Sequence, residues 1–85
     1  MKVKYTPSFL RKYKKLPIAL QEEVEEKIIL FSKNLKHPSL KAHKLKGKLE
    51  GIYSFSVNYA YRILFLYEDK KTVKLLGIGT HKVYE

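Results

Sequence analysis

The stretch that decides the fold runs from Tyr61 to Tyr67 and reads YRILFLY. Its apolar side chains fall on both sides, which is typical of a strand in the middle of a sheet. A polar turn and a second apolar run, Val73 to Ile78, follow it. Before it, Ile52 to Val57 alternates as a strand does, with Tyr53, Phe55 and Val57 on one side and Ser54 and Ser56 on the other. The short links between these runs favour antiparallel neighbours, and with Lys2 to Tyr5 they predict an antiparallel sheet of three to four strands.

Two helices are predicted between Tyr5 and the sheet. Thr6-Pro7-Ser8 supplies a capping hydroxyl and an early proline, so a short helix begins there and ends near Leu16. Pro17 opens a second helix, which Asn34 and Pro38 end. Its apolar residues recur at helical spacing, at Leu20, Val24, Ile28, Phe31 and Leu35. The prediction is an α+β domain spanning residues 1–85, with both helices packed on one face of the sheet.

The composition excludes several classes of protein. A chain of 85 residues with 45% apolar content is a single small globular domain. It has no cysteine, so disulfides and thiolate metal sites are excluded. No apolar run approaches the roughly 20 residues that cross a bilayer, and the N-terminus carries no apolar signal segment. We therefore expect a cytoplasmic protein that does not engage a membrane.

Positive charge is concentrated in one segment. The chain has 18 Lys and Arg against 8 Asp and Glu, a net charge of +10. Between Lys33 and Lys48 lie six lysines, two histidines and no acidic residue. We expect this segment to be a loop that holds a polyanion, nucleic acid being the commonest one. The candidate RNA-binding residues are Lys41, Lys44, Lys46 and Lys48.

Arg62 is the most informative single charge, because it lies in the most apolar strand, on the same side as Leu64 and Leu66. A guanidinium in that position is either paired with a carboxylate, such as that of Glu68 or Glu50, or projects toward a phosphate, which its planar fork suits. The sequence leaves both possibilities open.

Three further residues are candidates for chemistry. His81 follows Gly77-Ile-Gly-Thr80 at a strand end, and His43 lies within the lysine-rich segment; either could transfer a proton near neutral pH. Tyr84 offers a ring for a base to stack on or a phenol beside a phosphate. The alternatives are an idle terminal histidine, an idle loop histidine and an aromatic that packs back on the domain.

Signatures of metal and cofactor sites are missing from the sequence. It has no phosphate-binding glycine loop, no zinc-ligand spacing and no paired carboxylates placed for magnesium. We expect no cofactor and no metal. RNA cleavage remains feasible, because RNA carries its own nucleophile in the 2′-OH and needs only orientation, proton transfer and charge stabilisation.

The order of these segments resembles the RelE/ParE superfamily of toxins from type II toxin–antitoxin pairs, and its YafQ-type branch in particular. The resemblance covers nearly the whole chain. It rests on Phe9 to Leu16, Lys44-Leu-Lys-Gly47, Tyr61-Arg-Ile-Leu-Phe65 and Leu75-Leu-Gly-Ile-Gly-Thr-His81 with the trailing Tyr84. The stretch from Ser54 to Ala60 lacks the histidine and aspartate of YafQ-like members.

The resemblance implies an endoribonuclease that cuts mRNA in the ribosomal A site and is neutralised by a cognate antitoxin. The roles of RelE-like and YafQ-like site residues would fall on Lys44, Lys46, Arg62, His43, His81 and Tyr84. Two alternatives remain open at this stage. ParE-like relatives share the fold and poison DNA gyrase without cutting RNA, and a plain nucleic-acid-binding module would bind without any chemistry.

Overall fold

A computed structural model of the chain describes residues 1–47 and 51–80, which form two helices and five strands. A 3₁₀ turn, Pro38–Leu40, follows the second helix. The elements in chain order are β1 (Lys2–Tyr5), α1 (Pro7–Lys14), α2 (Ile18–Lys33), β2 (His43–Lys44), β3 (Tyr53–Ser56), β4 (Arg62–Asp69) and β5 (Thr72–Gly79).

The five strands form one mixed sheet in the order β1-β5-β4-β3-β2. The α+β class is confirmed, but the predicted sheet is wrong in two respects. First, β1 pairs in parallel with β5, from Lys2 opposite Thr72, because a long connection containing both helices and the strands β2 to β4 joins them instead of a tight turn. Second, the sheet has five strands and not three to four, because part of the predicted lysine-rich loop is the edge strand β2, whose His43 lies opposite Ser54.

The start of α1 is fixed by Thr6. Its hydroxyl oxygen accepts a hydrogen bond from the backbone N–H of Phe9 at 3.1 Å, as an N-cap does. The same hydroxyl donates to the carbonyl oxygen of Leu75 at 2.8 Å. One side chain therefore both caps the helix and joins it to β5, and Phe9 is directed into the core, where it is buried.

The core lies between α2 and one face of the sheet. Val24, Ile28 and Phe31 on α2 are buried, which confirms the middle of the predicted apolar stripe, whereas Leu20 is half-buried and Leu35 lies beyond the end of the helix. The ring of Phe31 stacks on Phe55 with centroids 4.3 Å apart and meets the edge of Phe65 at 4.9 Å. Neither of the described helices combines the length and the apolar character that a membrane crossing requires.

The second face of the sheet carries different residues. Ser54 and Ser56 on β3 lie opposite Leu64 and Arg62 on β4, so these four side chains share one face while Phe55 and Phe65 share the other. This alternation confirms that Arg62 projects from the side of β4 that does not meet the phenylalanine core.

Glu68 joins three strands through two ion pairs. Its carboxylate lies 2.8 Å from the ammonium of Lys4 on β1 and 3.4 Å from that of Lys74 on β5. The hydrogen bond from Lys4 lowers the pKa of Glu68 below its ordinary value. A lowered pKa in the folded state stabilises the protein above the ordinary pKa, and this stability is lost as the pH falls through the folded-state value.

We therefore expect Glu68→Gln to lose less stability than the wild type when the pH is lowered from about 7 to about 3. The measurement is the urea midpoint at each pH. The matched control is Glu22→Gln on the exposed side of α2, which should keep the wild-type slope. Equal slopes for the wild type and Glu68→Gln would show that this carboxylate does not contribute to acid sensitivity.

Candidate nucleic-acid interface

Two neighbouring cavities share Lys41 and are rimmed by cations. The first, here called the Arg62 cavity, has a volume of about 500 Å³ and is lined by Lys27, Ser39, Lys41, Ser56, Val57, Asn58, Tyr59 and Arg62. The second, here called the His43 cavity, has a volume of about 480 Å³ and is lined by Leu35, Lys36, His37, Pro38, Lys41, Ala42, His43, Lys44, Tyr53, Phe65 and Tyr67. Both are large enough to hold part of a nucleotide chain.

Arg62 is anchored by backbone carbonyl groups. Its Nη1 donates hydrogen bonds to the carbonyl oxygens of Asn58 at 2.7 Å, Tyr59 at 3.1 Å and Tyr61 at 3.1 Å. The predicted alternative of a salt bridge to Glu68 is wrong, since that carboxylate is held by Lys4 and Lys74. Glu50 lies outside the described residues. Because carbonyl oxygens are neutral, the positive charge of Arg62 is not cancelled by these contacts.

The turn whose carbonyl groups bind Arg62 is also stabilised by hydrogen bonds of the Asn58 side chain. The Oδ1 of Asn58 accepts from the backbone N–H groups of Ala60 and Tyr61, each at 2.9 Å. Its Nδ2 donates to the carboxylate of Glu23 on α2 at 2.7 Å. Tyr59 lies at the tip of this turn and is 93% exposed. A fixed turn thus presents an aromatic ring to solvent beside a cationic cavity, an arrangement suited to base stacking.

His43 is oriented by the backbone of Lys41. The ring Nδ1 lies 2.9 Å from the carbonyl oxygen of Lys41. A carbonyl oxygen only accepts hydrogen bonds, so the proton of the neutral ring is on Nδ1 and the lone pair is on Nε2. Nε2 is therefore available to accept a proton, which is the state that a general base needs.

Lys41 adopts the left-handed backbone conformation, with φ +48° and ψ +40°. This conformation costs a side-chain-bearing residue roughly 1–2 kcal/mol, and such strain is concentrated at functional positions. Here it turns the chain out of the 3₁₀ turn, lets the Lys41 carbonyl meet His43, and places the lysine at both cavities.

We expect Lys41→Gly to be about 1 kcal/mol more stable to unfolding than Lys41→Ala, because only glycine adopts this φ without strain. Both variants remove the same charge, so each is the other's control. Urea denaturation measures the difference. Equal stabilities would show that residue 41 is not strained, and both variants should bind RNA more weakly than the wild type.

The predicted site residues are only partly brought together. Arg62 and His43 line different cavities, which are joined by Lys41, and Lys44 lines the His43 cavity. Lys46 is exposed and lines neither. Lys48, His81 and Tyr84 lie outside the described residues, so their roles stay predictions.

Among the residues that line these cavities, several were not predicted as site residues: Lys27, His37, Tyr53, Tyr59 and Tyr67. Lys27 follows the acidic run of α2 and reads there as an ordinary surface residue. His37 reads as part of the helix end because it directly precedes Pro38. The position of Tyr59 between two strands was a usable signal, since a large aromatic residue is uncommon at the tip of a short turn.

The chain belongs to a family of RelE-like toxins. The model of the HigB-like toxin family, described as the RelE-like toxin of the type II toxin–antitoxin system HigB, matches residues 10–78. The predicted membership of the RelE/ParE superfamily is thereby confirmed. Among curated proteins, none matches the sequence.

Solved structures of toxins have the same fold. The YoeB/ParE toxin from Agrobacterium tumefaciens is 18% identical, with a TM-score of 0.76 over 95% of this chain and 99% of the other. YafQ from E. coli strain BL21(DE3) is also 18% identical, with a TM-score of 0.76 over 96% and 94%. The toxin–antitoxin complex RelBE2 from Mycobacterium tuberculosis contains a chain 26% identical, with a TM-score of 0.74 over 94% and 90%.

Proposed function

We propose that this toxin is a ribosome-dependent endoribonuclease that cuts mRNA in the A site without a metal ion, in the cytoplasm. The observation that carries the proposal is an oriented histidine and an anchored guanidinium at two cavities that share Lys41, with no carboxylate of the described residues bound to the guanidinium. His43 has its Nε2 lone pair available, Arg62 is hydrogen-bonded to the carbonyl groups of a turn, and Lys41 lines both of their cavities. These are the groups that cleavage through the 2′-OH of RNA requires.

In the proposed reaction, the 2′-oxygen of RNA attacks the neighbouring phosphorus atom. Its proton passes to Nε2 of His43 as the 2′-O–P bond forms. Arg62 and Lys41 stabilise the negative charge that develops on the phosphoryl oxygens. The P–O5′ bond then breaks and the leaving oxygen takes a proton from His81, which gives a 2′,3′-cyclic phosphate and a 5′-OH. Tyr84 is proposed to steady the phosphate or stack on a base.

The substrate strand is proposed to lie along the basic segment. Lys41, Lys44, Lys46 and Lys48 would contact phosphates of the mRNA or of ribosomal RNA, and such contacts weaken steeply with added salt. Lys27 joins this group because it lines the Arg62 cavity.

A cognate antitoxin is the proposed protein partner. Toxins with the same fold have been crystallised as such complexes, including YoeB–YefM from Staphylococcus aureus and RelBE2 from Mycobacterium tuberculosis. With a net charge of +10, the chain should bind an acidic or amphipathic antitoxin segment that covers the basic cavities. Co-purification with the product of the adjacent gene tests this, and an adjacent gene that encodes no acidic partner would count against it.

Primer extension on an mRNA in a translation extract tests the activity. We expect cuts within codons when the message is translated and none when its start codon is removed. The matched measurement is DNA gyrase supercoiling with the same protein. Inhibition of gyrase without RNA cuts would replace the proposal by a ParE-like function. If the protein neither cuts RNA nor inhibits gyrase, the remaining function is that of a nucleic-acid-binding module.

A further inference from the structure

The His43 cavity combines aromatic rings with cations in a way that the cleavage reaction does not require. We propose that this cavity binds one nucleoside monophosphate unit, with its base against Tyr53 and Tyr67 and its phosphate against the lysines at the rim. The inference rests on the proposed function only because His43, the proposed general base of the cleavage reaction, also lines this cavity. The unit could be a nucleotide of the RNA strand or a free nucleotide, because both present the same chemistry.

The first observation that supports a nucleotide in this cavity is an aromatic wall formed by Tyr53 and Tyr67. The rings of Tyr53 and Tyr67 are perpendicular, with centroids 5.1 Å apart, and both pack on Phe65. Phe65 is fully buried, while Tyr67 is 36% exposed. The wall is therefore backed by the core and open on one side. Burial raises the pKa of Tyr67, so its phenol stays neutral and places no negative charge beside the phosphate of a ligand.

The second observation that supports a nucleotide in this cavity is the group of lysines at its rim. Lys36, Lys41 and Lys44 line the same cavity, and within the described residues none of them forms a salt bridge. Three ammonium groups beside a cavity of about 480 Å³ favour an anionic ligand. An apolar ligand would satisfy the tyrosines but not the lysines, and inorganic phosphate would satisfy only the lysines.

The two histidines give the cavity one donor and one acceptor. The Nδ1 of His37 lies 3.2 Å from the backbone N–H of Ser39, which can only donate, so the ring proton of neutral His37 is on Nε2. His43 has the opposite arrangement, with its proton on Nδ1. A nucleotide has the matching groups, since phosphoryl oxygens accept and ribose hydroxyl groups donate.

Titration of the ¹⁵N-labelled full-length protein with adenosine 5′-monophosphate tests the inference. We expect amide shifts at residues 35–44, 53 and 65–67, and weaker binding of ribose 5-phosphate and inorganic phosphate. Tyr67→Leu should weaken binding of the monophosphate by roughly 5- to 100-fold while leaving ribose 5-phosphate unchanged. Tyr67→Phe, which keeps the ring, should bind within about threefold of the wild type.

Matched controls lie at the opposite edge of the sheet. Tyr5→Leu and Lys2→Ala, both on β1, should leave binding unchanged, whereas Lys44→Ala should weaken all three ligands. Equal affinity for adenosine monophosphate and ribose 5-phosphate would overturn the inference and leave a simple anion site. Shifts confined to the Arg62 cavity would also overturn it.

Competition with a short RNA distinguishes the two sources of the nucleotide. Displacement of the monophosphate by RNA assigns the cavity to a nucleotide of the bound strand, and simultaneous binding assigns it to a free nucleotide. Binding is measured without cleavage, so the two proposals fail separately. A chain that binds the monophosphate here but cuts no RNA refutes only the nuclease.

Discussion

Replacing Arg62 with alanine is expected to lower the rate of mRNA cleavage by roughly 100- to 1,000-fold, the usual effect of removing one preorganised donor from a transition state. The effect is large because the guanidinium is held in place before the substrate arrives. Three carbonyl oxygens fix its Nη1, and no carboxylate in the described chain cancels its charge. Single-turnover cleavage of a programmed ribosome measures the rate.

Arg62→Lys is the matched variant. It keeps the charge, but an ammonium cannot hold the turn and also offer a second edge to a phosphate, so an intermediate rate is expected. Thermal unfolding of each variant separates a lost contact with RNA from a loosened turn. If Arg62→Ala folds and cuts at the wild-type rate, Arg62 has no part in catalysis and only shapes the turn.

Replacing His43 with alanine is expected to lower the cleavage rate by roughly 100- to 10,000-fold, the range for a general base. Its Nδ1 bond to the Lys41 carbonyl leaves Nε2 as the proton acceptor. Because His43 is exposed on a two-residue edge strand, little stability should be lost with it.

His43→Asn distinguishes proton transfer from positioning. The asparagine amide can donate to the Lys41 carbonyl as Nδ1 does, but it cannot accept a proton at neutral pH. Both variants should therefore be equally slow. Recovery of activity in His43→Asn would show that the histidine serves only to fix the backbone near Lys41, and the base would have to be sought elsewhere.

The parts of the fold that follow from local patterns were predictable. The apolar stripe of α2 and the alternation of β3 predict which face each residue occupies, and the structure agrees for Phe31 and Phe55, which are buried in the core. The serines of β3 lie on the opposite face, as predicted, but Ser54 and Ser56 are buried as well, so the alternation indicated the face and not the exposure. The helix start at Thr6 was predictable in the same way, because the capping hydroxyl and the following proline both act within the first turn of the helix.

Other features depend on contacts distant in sequence or on backbone geometry, which side-chain patterns do not encode. Nothing in Lys2 to Tyr5 specifies a parallel neighbour about 70 residues away. The left-handed conformation of Lys41 was hidden because lysine does not favour it. The carbonyl partners of Arg62 were hidden as well, since every residue has a carbonyl and only the turn aligns three of them.

The parallel pairing of β1 with β5 has a consequence for biosynthesis. Residues 2–5 are translated about 70 residues before the strand that they join. Until Thr72 to Gly79 has been translated, Thr6 lacks the Leu75 carbonyl that joins α1 to the sheet. Pairing of β1 and docking of α1 therefore wait until β5 has been translated, and loss of β5 would leave residues 2–14 without their partner strand.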